Sequence, residues 1–285
     1  PNVDLFESSG VSGIHLVQKT NAAFFLSKQD AIINIEVFKN ASVYALLEKI
    51  ELQRTALNQV ADVKAGLKAY ETGKGIPFQS NAMKNNRIYH SKIAIDETYF
   101  SYLDGKDVSR YTLGWSGEFL KYGNNLAAAR KWVLFSTPRI LVRQIPAQPP
   151  YCIHACFTDE VKLNDLNSMN IVNIKEQPFF VLALLNSRLL SFWFIHKFGK
   201  LQRGIFPQFK INELEQFPIA ACTNQQSFVE KVQAILKAKA KGSDTSKLDR
   251  EIDDMVYRLY GLTYDEVKTI EPEYSTSREE YEATA

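Results

Sequence analysis

Three short arrangements set chemically useful side chains at regular spacing. Glu160 and Lys162 stand two apart in an Asp-Glu-Val-Lys run that recurs at 265–268. A Glu-x-Lys pair serves metal-dependent phosphodiester hydrolysis when an acid on a neighbouring strand completes the Mg²⁺ site and the lysine steadies the attacking water. At 265–268 the same run falls on a short helix and reads as a solvated face. Cys152, His154 and Cys156 alternate, so on a strand they share one side. Zinc needs a fourth ligand and usually takes two cysteines through a tight turn. With four His and three Cys in the whole chain, a half-buried strand is the ordinary reading and no metal site is expected. Gly73-Lys74-Gly75 alone is too sparse to cradle a phosphate. No nucleophile stands paired with a base, so no catalytic residue is expected in this chain.

A second set interleaves cations with amides and aromatics. Lys121, Tyr122, Asn124, Arg130, Lys131, Arg139 and Arg143 form one run, and Lys200, Gln202 and Arg203 form another. Lys74, Lys106 and Arg110 lie upstream on turn-like stretches. Lysine and arginine neutralise phosphates, whereas Arg, Asn and Gln can read base edges bidentately. These thirteen residues are the candidate contacts to double-stranded DNA, with the loop residues the better candidates for readers and Arg139 and Arg143 open to a structural role. Net charge is only +2, but it is segregated. Residues 64–143 hold thirteen basic residues against six acidic ones, and residues 178–212 hold five basic and no acidic ones. Residues 223–285 hold nine basic and thirteen acidic ones. Solvated helix faces give such runs too; the sharper reading is a polyanion-facing body with an acidic appendage.

The elements that would position these residues follow from periodicity. With 45% hydrophobic and 23% charged residues, the chain can build a packed core. Apolar stretches at 14–17, 22–26 and 32–38 read as strands, and Ser42 as the cap of a helix over 43–52 with Tyr44, Leu46, Leu47 and Ile50 on one face. Residues 60–115 read as strands between polar loops, of which 72–77 is glycine-rich and mobile by composition. Residues 132–145 read as a strand broken at Pro138, with Arg139 and Arg143 on one side. Residues 178–198 are apolar enough to span a bilayer. Asn186, Ser187 and Arg188 in their middle point instead to a buried helix pair, so no membrane is expected. A short capped segment follows at 212–217. Two amphipathic helices at 226–239 and 248–259, and a third capped by Thr263 and Glu266, close the chain. The expected fold is α+β: a mixed, mostly antiparallel curved sheet with packed helices, then a C-terminal helical hairpin. The expected division is 1–59, an α/β segment; 60–222, the DNA-facing domain; 223–272, the hairpin and short helix; and 273–285, a flexible tail. An odd, small number of cysteines fits a reducing cytoplasm. The start at Pro1 suggests a longer parent chain.

Three segments resemble the TaqI-like C-terminal specificity domain of restriction-modification enzymes. They are Leu-Asp-Gly-Lys-Asp-Val-Ser-Arg-Tyr at 103–111, Ser-Thr-Pro-Arg-Ile-Leu-Val-Arg-Gln-Ile at 136–145, and Ala-Leu-Leu-Asn-Ser-Arg-Leu-Leu-Ser-Phe-Trp-Phe at 183–194 with Phe-Pro-Gln-Phe-Lys-Ile-Asn-Glu-Leu-Glu-Gln-Phe-Pro-Ile at 206–219. The resemblance is densest over 102–220 and extends to about 60–270. It implies a target recognition domain that directs adenine-N6 methylation, cleavage, or both. Those reactions would be carried out by methyltransferase and nuclease domains of the same polypeptide. S-adenosylmethionine, and Mg²⁺ for a nuclease, would then serve the parent enzyme and not this chain. Gln148-Pro149-Pro150-Tyr151 is similar to the (Asn/Asp/Ser)-Pro-Pro-Tyr loop of amino-methyltransferases, but Gln148 departs from its first position and no Gly-rich cofactor loop precedes it. Two alternatives stay open: a metal-dependent nuclease using Glu160 and Lys162, and a separate specificity subunit that docks a methyltransferase through its hairpin.

Overall fold

The computed structural model describes residues 2–9, 13–21, 41–52, 54–199 and 208–283. In chain order, β1 (Asn2–Ser9) and β2 (Gly13–Asn21) form an antiparallel ribbon, followed by α1 (Ala41–Glu51), β3 (Thr55–Ala56), α2 (Leu57–Val60) and β4 (Asp62–Ala65). Next come α3 (Asn81–Asn85), β5 (His90–Ser91), β6 (Tyr99–Leu103), β7 (Val108–Ser109), β8 (Thr112–Leu113), β9 (Glu118–Lys121) and α4 (Val133–Ser136). Then follow β10 (Arg139–Arg143), β11 (Ala155–Thr158), β12 (Leu163–Asn164), β13 (Ser168–Val172), α5 (Pro178–Leu185), α6 (Arg188–Phe198), α7 (Ile211–Leu214) and β14 (Pro218–Ile219). The chain ends with α8 (Gln226–Ala240), α9 (Ser246–Leu259), α10 (Tyr264–Ile270) and α11 (Arg278–Ala283).

The expected α+β class holds, with the strands divided among several sheets. One four-stranded sheet runs β11-β10-β13-β4 and is antiparallel throughout. A second runs β12-β6-β9-β5 and is antiparallel except for the β12–β6 pair. The first sheet buries both faces, and the period of two sorts its residues. Ile140, Val142, Met169 and Ile171 enter the main core, whereas Leu141 packs with Leu103, Val108 and Cys156 on the other side.

Helix α5 explains the apolar run at 178–198. All six residues from Phe180 to Leu185 are buried, so it is a central core helix rather than an amphipathic one. Asn186 breaks the run and is fully buried: its side-chain amide accepts from Ala155 N and donates to Ala155 O, both at 3.0 Å. It thus acts as one more rung on the edge of β11. Ser187 then caps α6, accepting from Leu190 N at 3.2 Å. The two helices are bent by 59°, and no single helix among the described residues is long and apolar enough to cross a membrane.

Several expectations are corrected. Residues 133–136 are a helical turn, not strand, because the Ser136 and Thr137 hydroxyls donate back to the Trp132 and Val133 carbonyls. The inward face of α1 is Val43, Leu46, Leu47 and Ile50, with Val43 in the place expected of Tyr44. The stretch expected as a flexible tail is packed over its described part, 273–283: Tyr274 and Tyr281 are buried, and their hydroxyls donate to Asp254 (2.7 Å) and the Leu262 carbonyl (2.9 Å). The main core runs without a break from Val43 to Tyr281, so the C-terminal helices share it with the sheet. The apolar stretches at 22–26 and 32–38 lie outside the described residues.

Candidate nucleic-acid interface

The catalytic-looking motifs are absorbed into structure. The Tyr151 hydroxyl donates to Asp253 at 2.6 Å, and its ring faces the Arg110 and Arg188 guanidiniums at 3.9 and 5.3 Å. Burial and the neighbouring Asp253 push this phenol up to about 12. A ring stacked on a guanidinium and tied through its hydroxyl to Asp253 is engaged within the fold, and the Gln148–Tyr151 stretch does not fit a methyl-transfer site. Cys152 and Cys156 lie in different cores, and burial pushes both thiols up to about 12, against metal ligation, which needs thiolates. The strand begins only at Ala155, so Cys152 and His154 are not on it. Glu160 and Lys162 pair with each other at 3.0 Å. No group of three or more His, Cys, Asp or Glu suited to hold a metal assembles among the described residues.

Two expected DNA contacts prove to be interior. Arg139 is fully buried on the side of β10 away from the main core. Its guanidinium donates to the carbonyls of Phe135 (3.0 Å), Thr137 (3.3 Å), Glu160 (3.5 Å) and Lys162 (2.5 Å), and to Asn170 Oδ1 (3.1 Å). Burial without a carboxylate partner pushes it down to about 10. It ties α4 and the 159–162 loop to β13, and no donor is aimed at solvent. Arg143 does share its side of the strand but is only half-buried. Arg110 donates to the Asn186 carbonyl at 2.9 Å and pairs with Asp249 at 2.6 Å, fastening α9 to the sheet layer. Lys200, Gln202 and Arg203 lie outside the described residues.

Of the remaining candidates, Lys74, Lys121, Tyr122, Asn124, Arg130 and Lys131 form a connected strip. Segment 121–131 runs beside 66–69: Lys68 and Ala128 exchange two backbone hydrogen bonds of 2.9 Å, and Arg130 Nε donates to the Gly66 carbonyl at 3.0 Å. Arg130 and Lys131 are exposed at the bend, where Arg130 takes a left-handed φ of 64°. The Tyr122 hydroxyl donates to the Arg130 carbonyl at 2.9 Å, and its ring packs on Trp132 at 5.1 Å. Tyr122 therefore supports the bend from beneath. Arg130 and Lys131 join Lys64 on the rim of a groove of about 580 Å³ floored by Val63, Val133, Val172 and Ile211, with no acid in its lining.

At its other end the strip carries the 72–79 loop, which is held rather than mobile. Ile76 N donates to the Asn124 carbonyl at 2.8 Å. The buried Gln79 side chain accepts from Glu71 N (2.7 Å) and donates to the Ala69 (2.9 Å) and Asn125 (2.7 Å) carbonyls. At Gly75, φ is +78° and a Cβ would lie 2.4 Å from the Asn125 carbonyl, so only glycine fits. Lys74 and Asn124 are exposed there. Lys121 is half-buried, its ammonium 6.0 Å from the Tyr99 ring. Lys106 stands apart, in a cavity of about 320 Å³ where Arg87, Lys92 and Lys106 face Asp104, Glu118 and Asp165. Sequence reasoning missed Lys64, Lys84 and the exposed aromatic Phe78. For Lys84 and Phe78 the available signal was the run 72–95, which has four basic residues and no acidic one.

Residues 100–219 match the family described as the TaqI-like C-terminal specificity domain. The chain carries a TaqI-like C-terminal specificity domain. Of the strip, the specificity domain so bounded contains Lys121, Asn124, Arg130 and Lys131. Lys64 and Lys74 lie before its first residue and reach it through β4 and the held loop. No curated protein matches the chain. Among solved structures it is similar to the Type IIL restriction-modification enzyme MmeI in complex with DNA. Identity there is 12% and the TM-score 0.47, over 82% of this chain and 36% of that one. It is also similar to the HsdS subunit from Thermoanaerobacter tengcongensis, with 10% identity and a TM-score of 0.37, over 77% of this chain and 51% of that one. The chain thus spans about a third and about half of the lengths of these two proteins.

Proposed function

We propose that the chain is the sequence-reading part of a restriction-modification enzyme and grips double-stranded DNA along the strip from Lys64 to Lys74. The observation that carries this reading is the specificity-domain match at 100–219. The strip supports it, because exposed cations with exposed amides between them are what phosphate positioning and base-edge reading require. Lys64, Lys74 and Lys131 neutralise phosphates, while Asn124 and Arg130, on rigid turns, reach base edges. Arg143 and Lys106 take outer positions.

Methylation of adenine N6, cleavage, or both fall to methyltransferase and nuclease domains of the parent polypeptide, in the cytoplasm. S-adenosylmethionine, with Mg²⁺ where there is a nuclease, serves those domains. When the catalytic domain draws its adenine out of the stack, a rigid strip that begins ahead of the specificity domain and runs onto it keeps the rest of the duplex in register. Nuclease action by Glu160 and Lys162 is disfavoured by their mutual ion pair, and docking through the hairpin by the use of its apolar faces in the chain's own core.

Binding of a labelled duplex across a salt series tests the grip. The logarithm of the binding constant is expected to fall linearly with the logarithm of salt, by about 0.9 per phosphate neutralised. A salt-independent constant, or no binding, would refute the reading.

A further inference from the structure

The 72–79 loop has a feature that phosphate and base-edge contacts do not use. Ile76 and Phe78 at its tip are 71% and 80% exposed. Apolar side chains on mobile loops are unremarkable, but this loop is fixed by the Gln79 amide, the Ile76–Asn124 hydrogen bond and the close approach at Gly75. A flat apolar side chain is therefore held out into solvent with little freedom left to lose on binding. Its surroundings are cationic: Lys68, Lys74 and Lys84 act together on Glu71 and hold its carboxyl below the usual range. No acid occurs anywhere in 72–95. Exposed amides, Asn81, Asn85, Asn86 and Asn124, complete the surface.

We propose that the Ile76–Phe78 tip is an apolar wedge that enters a base step of the bound duplex. The proposal rests on the reading of the chain as a DNA recognition module. The charge of the surroundings selects the occupant, since a nucleic acid presents phosphates to the lysines and an apolar base stack to the ring. Insertion unstacks one step and kinks the duplex toward the major groove. The step that is easiest to unstack is then favoured, so the wedge contributes to specificity through DNA deformability without a hydrogen bond to any base.

The test uses duplexes of a bound sequence carrying 2-aminopurine at each position in turn, whose emission rises when the base unstacks. With the chain as it stands, emission should rise at one or two adjacent positions and nowhere else. Phe78→Ala should abolish the rise and weaken binding about tenfold, with the thermal midpoint unchanged because the ring touches solvent. Phe78→Trp should retain the rise. Lys74→Ala should weaken binding without altering the emission. Salt-dependent binding with no rise at any position overturns the wedge and leaves the recognition reading standing. So does Phe78→Ala binding and emitting as the unaltered chain does; in that case the tip faces another protein surface. Failure of every duplex to bind overturns both.

Discussion

The Arg110 guanidinium lies 3.9 Å from the centroid of the Tyr151 ring, and each partner holds a different carboxylate of α9. Arg110 takes Asp249 and Tyr151 takes Asp253, both at 2.6 Å. This stacked pair is how the C-terminal helices are fastened to the sheet, and it accounts for a residue expected on DNA and for a motif that resembles a base-stacking loop. Tyr151→Phe leaves the nearly buried Asp253 without one donor. The chain should lose about 1–3 kcal/mol, read as a lower urea midpoint, with DNA affinity per folded molecule unchanged. A loss of affinity at constant stability would place Tyr151 in the interface.

Arg139 gives the same contrast more strongly. Arg139→Met leaves five acceptors without their donor. The cost should be on the order of 3 kcal/mol or more, again in the urea midpoint. The salt slope of DNA binding by the folded fraction should not move.

Lys131→Ala and Lys74→Ala each remove an exposed cation at one end of the strip. Each should weaken binding by a similar factor on all sequences and reduce the salt slope by about one. Arg130→Ala should in addition relax the preference at one base position. Unchanged slopes would place the DNA elsewhere on the molecule.

His90 packs against Tyr70 and Tyr102, with its Nδ1 3.0 Å from the Tyr70 hydroxyl. Burial first, then Arg87, pushes it down to about 4, with Glu118 opposing and Lys92 assisting. Between pH 6.5 and 4 the unfolded chain therefore binds the extra proton, so this contribution is complete above pH 6.5 and is lost as pH falls through that window. Asp253, pushed up to about 6 by burial, acts in the opposite direction. The difference between the unaltered chain and His90→Gln isolates the histidine: the variant's thermal midpoint should fall less between pH 6.5 and 4. Parallel curves would refute this.

Deleting residues 273–285 removes the buried Tyr274 and Tyr281. Losing two buried aromatic side chains should cost several kcal/mol, roughly 3–5 for each if the site does not collapse. A truncated chain with an unchanged melting point would make the tail dispensable.

The sequence showed most clearly what periodicity and capping control. The break at Asn186, the Thr263–Glu266 capping box (2.6 Å from Thr263 N to the Glu266 carboxylate) and the two long C-terminal helices were all legible there. The side of the chain each charge faces was not. Arg139 and Arg130 are the same residue type in the same basic region, yet one is interior and one exposed. What separates them is the set of acceptors around Arg139: the Phe135 and Thr137 carbonyls are local, but the Glu160 and Lys162 carbonyls and Asn170 Oδ1 that complete the set come from distant sequence. The loop at 72–77 read as mobile from its glycines, because nothing in its composition shows that Gln79 and segment 123–125 hold it.

The central claim is that this chain reads duplex sequence, and the most direct measurement is selection. The chain is mixed with a random duplex pool at physiological salt, and the bound DNA is sequenced over successive rounds. Enrichment of one short motif is predicted, with mismatches at its positions each costing about 1–3 kcal/mol. Salt-dependent retention of the pool without enrichment of any motif would contradict the claim.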